Sequence, residues 1–414
     1  MLSFSRSSES TVAEVIPIGG GITAPYGFRS AGVACGIKLS GQPDLALIAA
    51  DRPATAAAVF TTNQAKAAPV LVSRAHLDAS GGIAQVIVTN SGCANACTGP
   101  QGIADAREMA VLSAAAADCE LSHALVASTG VIGVNLNMDA IRAGVPAAFG
   151  LLSRDGHADA ARAIMTTDPF PKSHAVEIAT AAGTFRVGGM AKGSGMIEPR
   201  LATMLGYLTT DAQIDAPLLR NALVTACRST FNAITVDGES STNDCVFAMA
   251  SGASGVQVDE STYPALLEGL RAVSLDLSLG IVRGGEGATK LVAITVTGAA
   301  TPEDAWRAAR VIANSPLVKT AIHGGDPNWG RLIAAAGRSG AAFSLEGALV
   351  RIGPHVLFSG GEPHDELAPA AADYLRNMEL EIEVGIGAGG SERATMYTCD
   401  LSAEYVKINA EYRT

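Results

Sequence analysis

The run GGMAKGSGMIEPRLATMLGYLTTDA, residues 188–212, breaks the local rules that the rest of the chain obeys, and any fold must be built around it. Gly188, Gly189, Ala191, Gly193 and Ser194 leave its first half bare of side chains. An apolar run from Leu201 to Leu208 follows, with Ala202 and Thr203 inside it. Its period does not choose between helix and strand. A bare approach to an apolar segment carrying one hydroxyl suits a buried nucleophile that a substrate must reach.

A threonine hydroxyl inside a chain is a weak nucleophile and needs a base beside it. The small Ala202 leaves its carbonyl open to attack by the Thr203 hydroxyl. Such attack gives an N-to-O acyl shift and then an ester, whose hydrolysis cuts the chain. The Thr203 α-amine released in this way titrates near about 8 in ordinary surroundings, so it can act as the hydroxyl's own base. One residue then supplies both parts. On pattern alone, a structural threonine on an apolar face accounts for the same letters. A second stretch, ALVASTGVIG (124–133), reads as a strand ending at Ser128-Thr129-Gly130. A small hydroxyl residue and a glycine there can turn a donor toward a reacting oxygen, and an ordinary strand-to-turn boundary reads the same way.

Around these stretches, short β-rich runs alternate with Ala-rich helical ones. AQVIVTNSG (84–92) reads as a buried strand, 103–119 as a helix, 137–150 and 151–165 as two more helices, and VEIATAAGTFRVGG as a hairpin turning near Gly183. Further on, 216–230 is a helix, KLVAITVTG a strand, and TPEDAWRAARVIANS a helix opened by a Thr cap, a Pro and early acids. LEIEVGIG and the run ATMYTCDLSAEYVKINAEY alternate like strands to the end of the chain, and HGGDPNWGR (323–331) reads as a turn-rich loop. The mixture predicts an α/β (α+β) architecture of layered β-sheets covered by helices, without internal repeats.

Composition narrows the partners. The 414 residues carry 29 basic and 40 acidic side chains, a net charge of −11, which argues against nucleic acid or an anionic membrane as partner. With 48% hydrophobic residues the chain is globular, and no apolar run is long enough to span a bilayer. The start, MLSFSRSSESTVAEV, lacks the pattern of a secretory signal, and seven scattered cysteines read as reduced thiols; the expected location is the cytoplasm. Cys93 and Cys97 have no second pair at zinc-like spacing, and Cys93 has no histidine near it in sequence to make it a nucleophile. GGEGATK lacks the spacing of a phosphate-binding loop. No metal and no organic cofactor is expected.

MAKGSGMIEPRLATMLGYLTTDA resembles the signature of the ornithine acetyltransferases, self-cleaving enzymes of the cyclic arginine pathway. Further blocks follow in the family's order: GFRSAGVACGIK (27–38), NSGCANACTG (90–99), STGVIG (128–133), TTD (166–168), VDGESSTND (236–244), GGEGATK (284–290), HGGDPNWGR (323–331) and YVKINAEY (405–412). The resemblance implies a self-cleaved fold shared with related aminopeptidases, cut between Ala202 and Thr203 into pieces 1–202 and 203–414. It implies that Thr203 is the nucleophile and that Thr129 and Gly130 form the oxyanion hole. Thr166, Lys192, Thr203, Glu286, Asn409 and Thr414 match substrate-contacting positions, with Asn409 and Thr414 on a final strand and tail folded back into the site. The implied reaction moves an acetyl group from N2-acetylornithine to glutamate through acetyl-Thr203. The implied assembly is a heterotetramer of two copies of each piece. Acetyl-CoA as a second donor stays open, as do a self-cleaving amidase or aminopeptidase that uses water instead and a non-enzymatic relative. Glu198 and Arg200, close before Thr203, depart from the family's pattern, and Cys93 stands where the family usually has Asn.

Overall fold

The computed structural model describes residues 14–198 and 204–411, and Pro199 to Thr203 and Tyr412 to Thr414 lie outside the described residues. These fall into two compact units, one formed by residues up to 232 together with 240–281, the other by 233–239 together with residues from 282 onward.

The first unit is built on a nine-stranded sheet. Its strands are β1 (Glu14–Ile18), β2 (Phe28–Val33), β3 (Leu45–Phe60), β4 (Ile83–Cys93), β5 (Ala124–Val131), β6 (Lys172–Thr180), β7 (Gly183–Lys192), β8 (Leu205–Thr210) and β9 (Cys245–Ala250). They run in the order β1-β6-β7-β8-β9-β3-β4-β5, and β2 pairs with β3. Two neighbouring pairs are parallel, β4 with β5 and β8 with β9. Each needs a crossover, and each has a helix for it: α2 (Gly99–Ala117) between β4 and β5, and α5 (Ala216–Arg228) between β8 and β9. Helices α1 (Ala68–Ser80), α3 (Met138–Gly150), α4 (His157–Ala163) and α6 (Tyr263–Arg283) complete the unit. Valines, leucines and alanines of the strands pack against α1, α2 and α3 in one core layer. A separate layer joins Phe28, Tyr207 and Phe247 to the alanines of α4.

The undecided run around Leu201 becomes strand β8 from Leu205. All six of its residues are buried, so both faces are covered and the alternation that marks a half-exposed strand is missing. The expected helix over 151–165 is shorter, beginning only at His157. The hairpin is as expected, with Gly183 at φ 130 in its turn.

The second unit has a six-stranded sheet of β10 (Leu291–Ala299), β11 (Ala348–Ile352), β12 (His355–Ser359), β13 (Glu362–Pro363), β14 (Glu379–Ile386) and β15 (Glu392–Cys399), ordered β13-β12-β11-β14-β10-β15. Helices α7 (Pro302–Ala313), α8 (Pro316–Gly324), α9 (Trp329–Gly337) and α10 (Ala368–Tyr374) share its core. The predicted cap of α7 is present: the Thr301 side chain accepts from the Asp304 N–H at 3.1 Å. HGGDPNWGR is less of a loop than its glycines suggest, because His323 and Gly324 finish α8 and Trp329 opens α9. One expectation is overturned. The C-terminal run is not strand throughout: β15 stops at Cys399, and Ala403–Glu411 forms helix α11.

Candidate active site

In the first unit, three of the expected site residues meet through one side chain. Lys192, the last residue of β7, donates from Nζ to Thr166 Oγ1 at 2.7 Å and to Thr129 Oγ1 at 3.3 Å. Their separation in sequence is bridged by the sheet, with β5 delivering Thr129 and β7 delivering Lys192. Lys192 also pairs in register with Leu205, the first residue of β8 and two residues past Thr203. Thr203 and Ala202 themselves lie outside the described residues.

Gly130 could be no other residue. Its φ is +129, and a Cβ placed on it would stand 2.3 Å from the Gly92 carbonyl carbon and 2.6 Å from the Cys93 nitrogen, both backbone atoms. The register between β4 and β5 shifts at that point, a bulge that re-aims the end of the strand. The Thr129-Gly130 step is therefore a special backbone position near a strand end.

Under this cluster lies a residue that sequence reasoning missed. Asp168 accepts from Lys172 Nζ at 2.6 Å, from the Gly193 N–H at 2.8 Å and from the Thr166 N–H at 3.0 Å. Burial works against its ionisation, yet the ammonium groups of Lys192 and Lys172 and these hydrogen bonds hold its carboxyl at about 2. It fixes both the loop with Thr166 and the turn just after Lys192. The only signal in the sequence was its place in the TTD block. Lys38 adds a third cation, bonded from Nζ to the carbonyls of Pro43 and Met165 at 2.7 Å each. Burial, reinforced by the Lys192 charge, pushes the Lys38 pKa down. Cys93 is buried and donates to the Val134 carbonyl at 3.2 Å. Burial pushes its thiol up, away from the reactive thiolate.

In the second unit, the expected residues Glu286 and Asn409 are hydrogen-bonded, Asn409 Nδ2 donating to Glu286 Oε2 at 2.9 Å. Asn409 sits on helix α11, not on a strand, and its amide also reaches the Tyr405 carbonyl one turn back at 3.0 Å. The helix can come this close because residue 287 is glycine. A Cβ on Gly287, at φ +67, would lie 2.5 Å from the Tyr405 nitrogen. Tyr405 donates its hydroxyl to Asp237 at 3.3 Å, and burial together with the Asp237 charge pushes the phenol up. Beside this group, Asp400 accepts from the Thr289 and Lys290 N–H groups and from His323 Nδ1. Burial opposes its ionisation, but those bonds lower its pKa. His323 thus serves as a partner for a buried carboxylate. Thr414 lies outside the described residues.

Glu198 is buried, and its carbonyl accepts from the Ser240 hydroxyl at 2.9 Å, while Arg200 is outside the described residues. Among the described residues, no three or more His, Cys, Asp or Glu side chains are gathered as metal ligands would be, and no helix is long and apolar enough to cross a membrane.

The sequence matches the family model described as the ArgJ family over residues 29–414. It is 48% identical over 402 residues to the arginine biosynthesis bifunctional protein ArgJ of Symbiobacterium thermophilum, covering 96% of this chain and 99% of that one. The protein of the same name from Chlorobaculum tepidum is 48% identical over 392 residues, covering 94% and 96%. Among solved structures, the ornithine acetyltransferase of Mycobacterium tuberculosis complexed with ornithine is 44% identical, covering 46% of this chain and 100% of that chain at a TM-score of 0.42.

Proposed function

The chain belongs to the ArgJ family of arginine biosynthesis acetyltransferases, and from that premise we propose that it moves an acetyl group from N2-acetylornithine to glutamate through Thr203. In the maturation step the Thr203 hydroxyl attacks the Ala202 carbonyl, and hydrolysis of the resulting ester leaves two pieces, 1–202 and 203–414. In turnover the same hydroxyl, with the new α-amine as its base, attacks the acetyl carbonyl of acetylornithine and releases ornithine. Glutamate then attacks the acetyl ester. Both tetrahedral intermediates carry an oxyanion, which the Thr129 hydroxyl and the Gly130 N–H stabilise. Lys192 pairs with a substrate carboxylate, Glu286 with a substrate ammonium, and Thr166, Asn409 and Thr414 complete the contacts.

The observation that carries this reading is the convergence of Thr129, Thr166 and Lys192 at the edge of β8, two residues from Thr203. The sheet also supports a cut chain. Strand β7 precedes the junction and β8 follows it, and six residue pairs from Val187–Thr210 to Lys192–Leu205 link the two. The pieces therefore stay together after cutting and separate only in denaturant. The same reading places the enzyme in the cytoplasm as two copies of each piece.

Incubation with acetylornithine and glutamate tests the reaction: N-acetylglutamate forms in step with ornithine. Acetate in its place assigns the chain to the water-using amidases. Thr203→Ala stops both cutting and transfer, and transfer that survives it requires a different nucleophile. Replacing acetylornithine by acetyl-CoA in the same assay decides whether there is a second donor.

A further inference from the structure

Lys38 takes part in none of the steps above, yet it holds one half of a peptide unit whose other half Asp168 holds. The unit joins Met165 to Thr166. Its carbonyl accepts from Lys38 Nζ at 2.7 Å, and its N–H donates to Asp168 Oδ2 at 3.0 Å. Among the described residues every peptide bond is trans, so these two groups point in opposite directions. A cation therefore stands at the negative end of the peptide dipole and an anion at the positive end, each through a charge-assisted hydrogen bond. One such bond alone leaves the plane free to turn about it. Two on opposite sides fix the plane, and with it the direction in which Thr166 carries its hydroxyl. That hydroxyl is the nearer acceptor of Lys192, at 2.7 Å against 3.3 Å for Thr129.

Lys38 is itself firmly mounted. The buried Asp44 carboxylate accepts from the N–H groups of Cys35, Gly36, Ile37 and Lys38 at 2.7–3.1 Å, which closes residues 35–44 into a tight strap. The Lys38 ammonium also bonds the Pro43 carbonyl of the same strap at 2.7 Å. Its stem passes over Gly92 of β4, where a Cβ would stand 3.0 Å from Lys38 Cγ. Gly92 in turn pairs with Gly130 of β5. The side chain thus runs from a rigid strap, past the backbone that faces Gly130, to the carbonyl before Thr166.

We propose that Lys38 is a positioning residue for substrate binding: with Asp168 it clamps the Met165–Thr166 peptide plane, which sets the Thr166 hydroxyl and, through it, the Lys192 ammonium. The assignment rests on the reading that Lys192 takes the carboxylates of acetylornithine and glutamate. No covalent bond changes at Lys38. Without its ammonium the Met165 carbonyl loses this donor, the plane turns about the Asp168 bond, and Lys192 keeps only its longer bond to Thr129.

The test is steady-state transfer from acetylornithine to glutamate by the full chain and by two variants, with thermal melting beside it. Lys38→Met keeps a stem over Gly92 and removes the ammonium, while Lys38→Ala opens a gap of the size of propylammonium. The expected result is melting near the wild type and a KM for both substrates raised about 10-fold, with kcat changed far less. Propylammonium returns the KM of Lys38→Ala toward the wild-type value, a recovery that a role in packing alone does not allow. In a Lys192→Met background, Lys38→Met adds less than about two-fold, because the two side chains act in series. A KM within about two-fold of the wild type in Lys38→Met overturns the proposal, as does a full further rise of about 10-fold in the Lys192→Met background. Failure of both variants to fold also overturns it, by making Lys38 structural. A wild type that transfers nothing to glutamate instead defeats the reading of function, and amide hydrogen exchange then decides the clamp by itself. Faster exchange at Thr166 in Lys38→Met upholds the clamp, and unchanged exchange overturns it.

Discussion

The two units gather opposite charge. In the nine-stranded unit, Lys172 and Lys192 flank Asp168, Lys38 bonds the Met165 carbonyl nearby, and Lys192 reaches the two threonines. In the six-stranded unit, Glu286, Asp237 and Asp400 are tied to Asn409, Tyr405 and His323. One cluster is rich in ammonium groups, the other in carboxylates. The clusters also differ in how they are held. Asp168 is locked by three donors and two flanking cations, and Glu286 accepts from Asn409 on a C-terminal helix that a single glycine admits.

The strongest blow to this contrast is Asp168→Asn. Removing one partner of a buried ion pair strands the others, and the expected loss is about 3–5 kcal/mol in urea unfolding. A loss below about 1 kcal/mol would mean that Lys172 and Lys192 do not depend on it. The pH dependence has a definite sign. The Asp168 pKa is about 2 in the folded chain and about 3.9 when unfolded, so its stabilisation is fully present above about 4 and disappears as pH falls from there through about 2. In Asp168→Asn this part of the acid limb is missing, which acid titration of stability checks.

Next come the two charges themselves. Lys192→Met raises KM for acetylornithine and for glutamate by about 10- to 100-fold, since both present a carboxylate. Glu286→Gln raises KM for acetylornithine by a similar factor. Steady-state kinetics in which the two variants behave alike toward every substrate, or in which neither moves KM, would erase the distinction between the clusters. Smaller is Gly287→Ala, which forces a side chain against the Tyr405 backbone at a left-handed φ and costs about 1–3 kcal/mol, with reduced activity through displaced Asn409. Cys93→Ser is the smallest: cutting and transfer stay within about two-fold, because the thiol only donates to a carbonyl, and an inactive, folded Cys93→Ser would reopen its role.

Much of this was legible in the letters. Where a strand or helix has one wet face, periodicity revealed it, as in the hairpin turning at Gly183 and in α7 with its Thr301 cap. Strand β8 was ambiguous because burial on both faces removes the alternation. The C-terminal run misled for the opposite reason. Helix α11 has no buried residue among those described, so no apolar stripe marks it as a helix. The site divides in the same way. Thr129, Thr166, Lys192, Glu286 and Asn409 were named through the resemblance, and the structure groups them as Thr129, Thr166 and Lys192 in one cluster and Glu286 with Asn409 in the other. Asp168 escaped notice because its importance comes from long-range partners and burial, which no local pattern records.

The central claim is that a hydroxyl within the chain cuts the bond before it and thereby acquires its own base. N-terminal sequencing of the purified, active protein tests this most directly. The account predicts two starts, the second reading Thr-Met-Leu-Gly-Tyr from residue 203, with activity rising as that start appears. Full activity in protein with a single start and an intact 202–203 bond would contradict it.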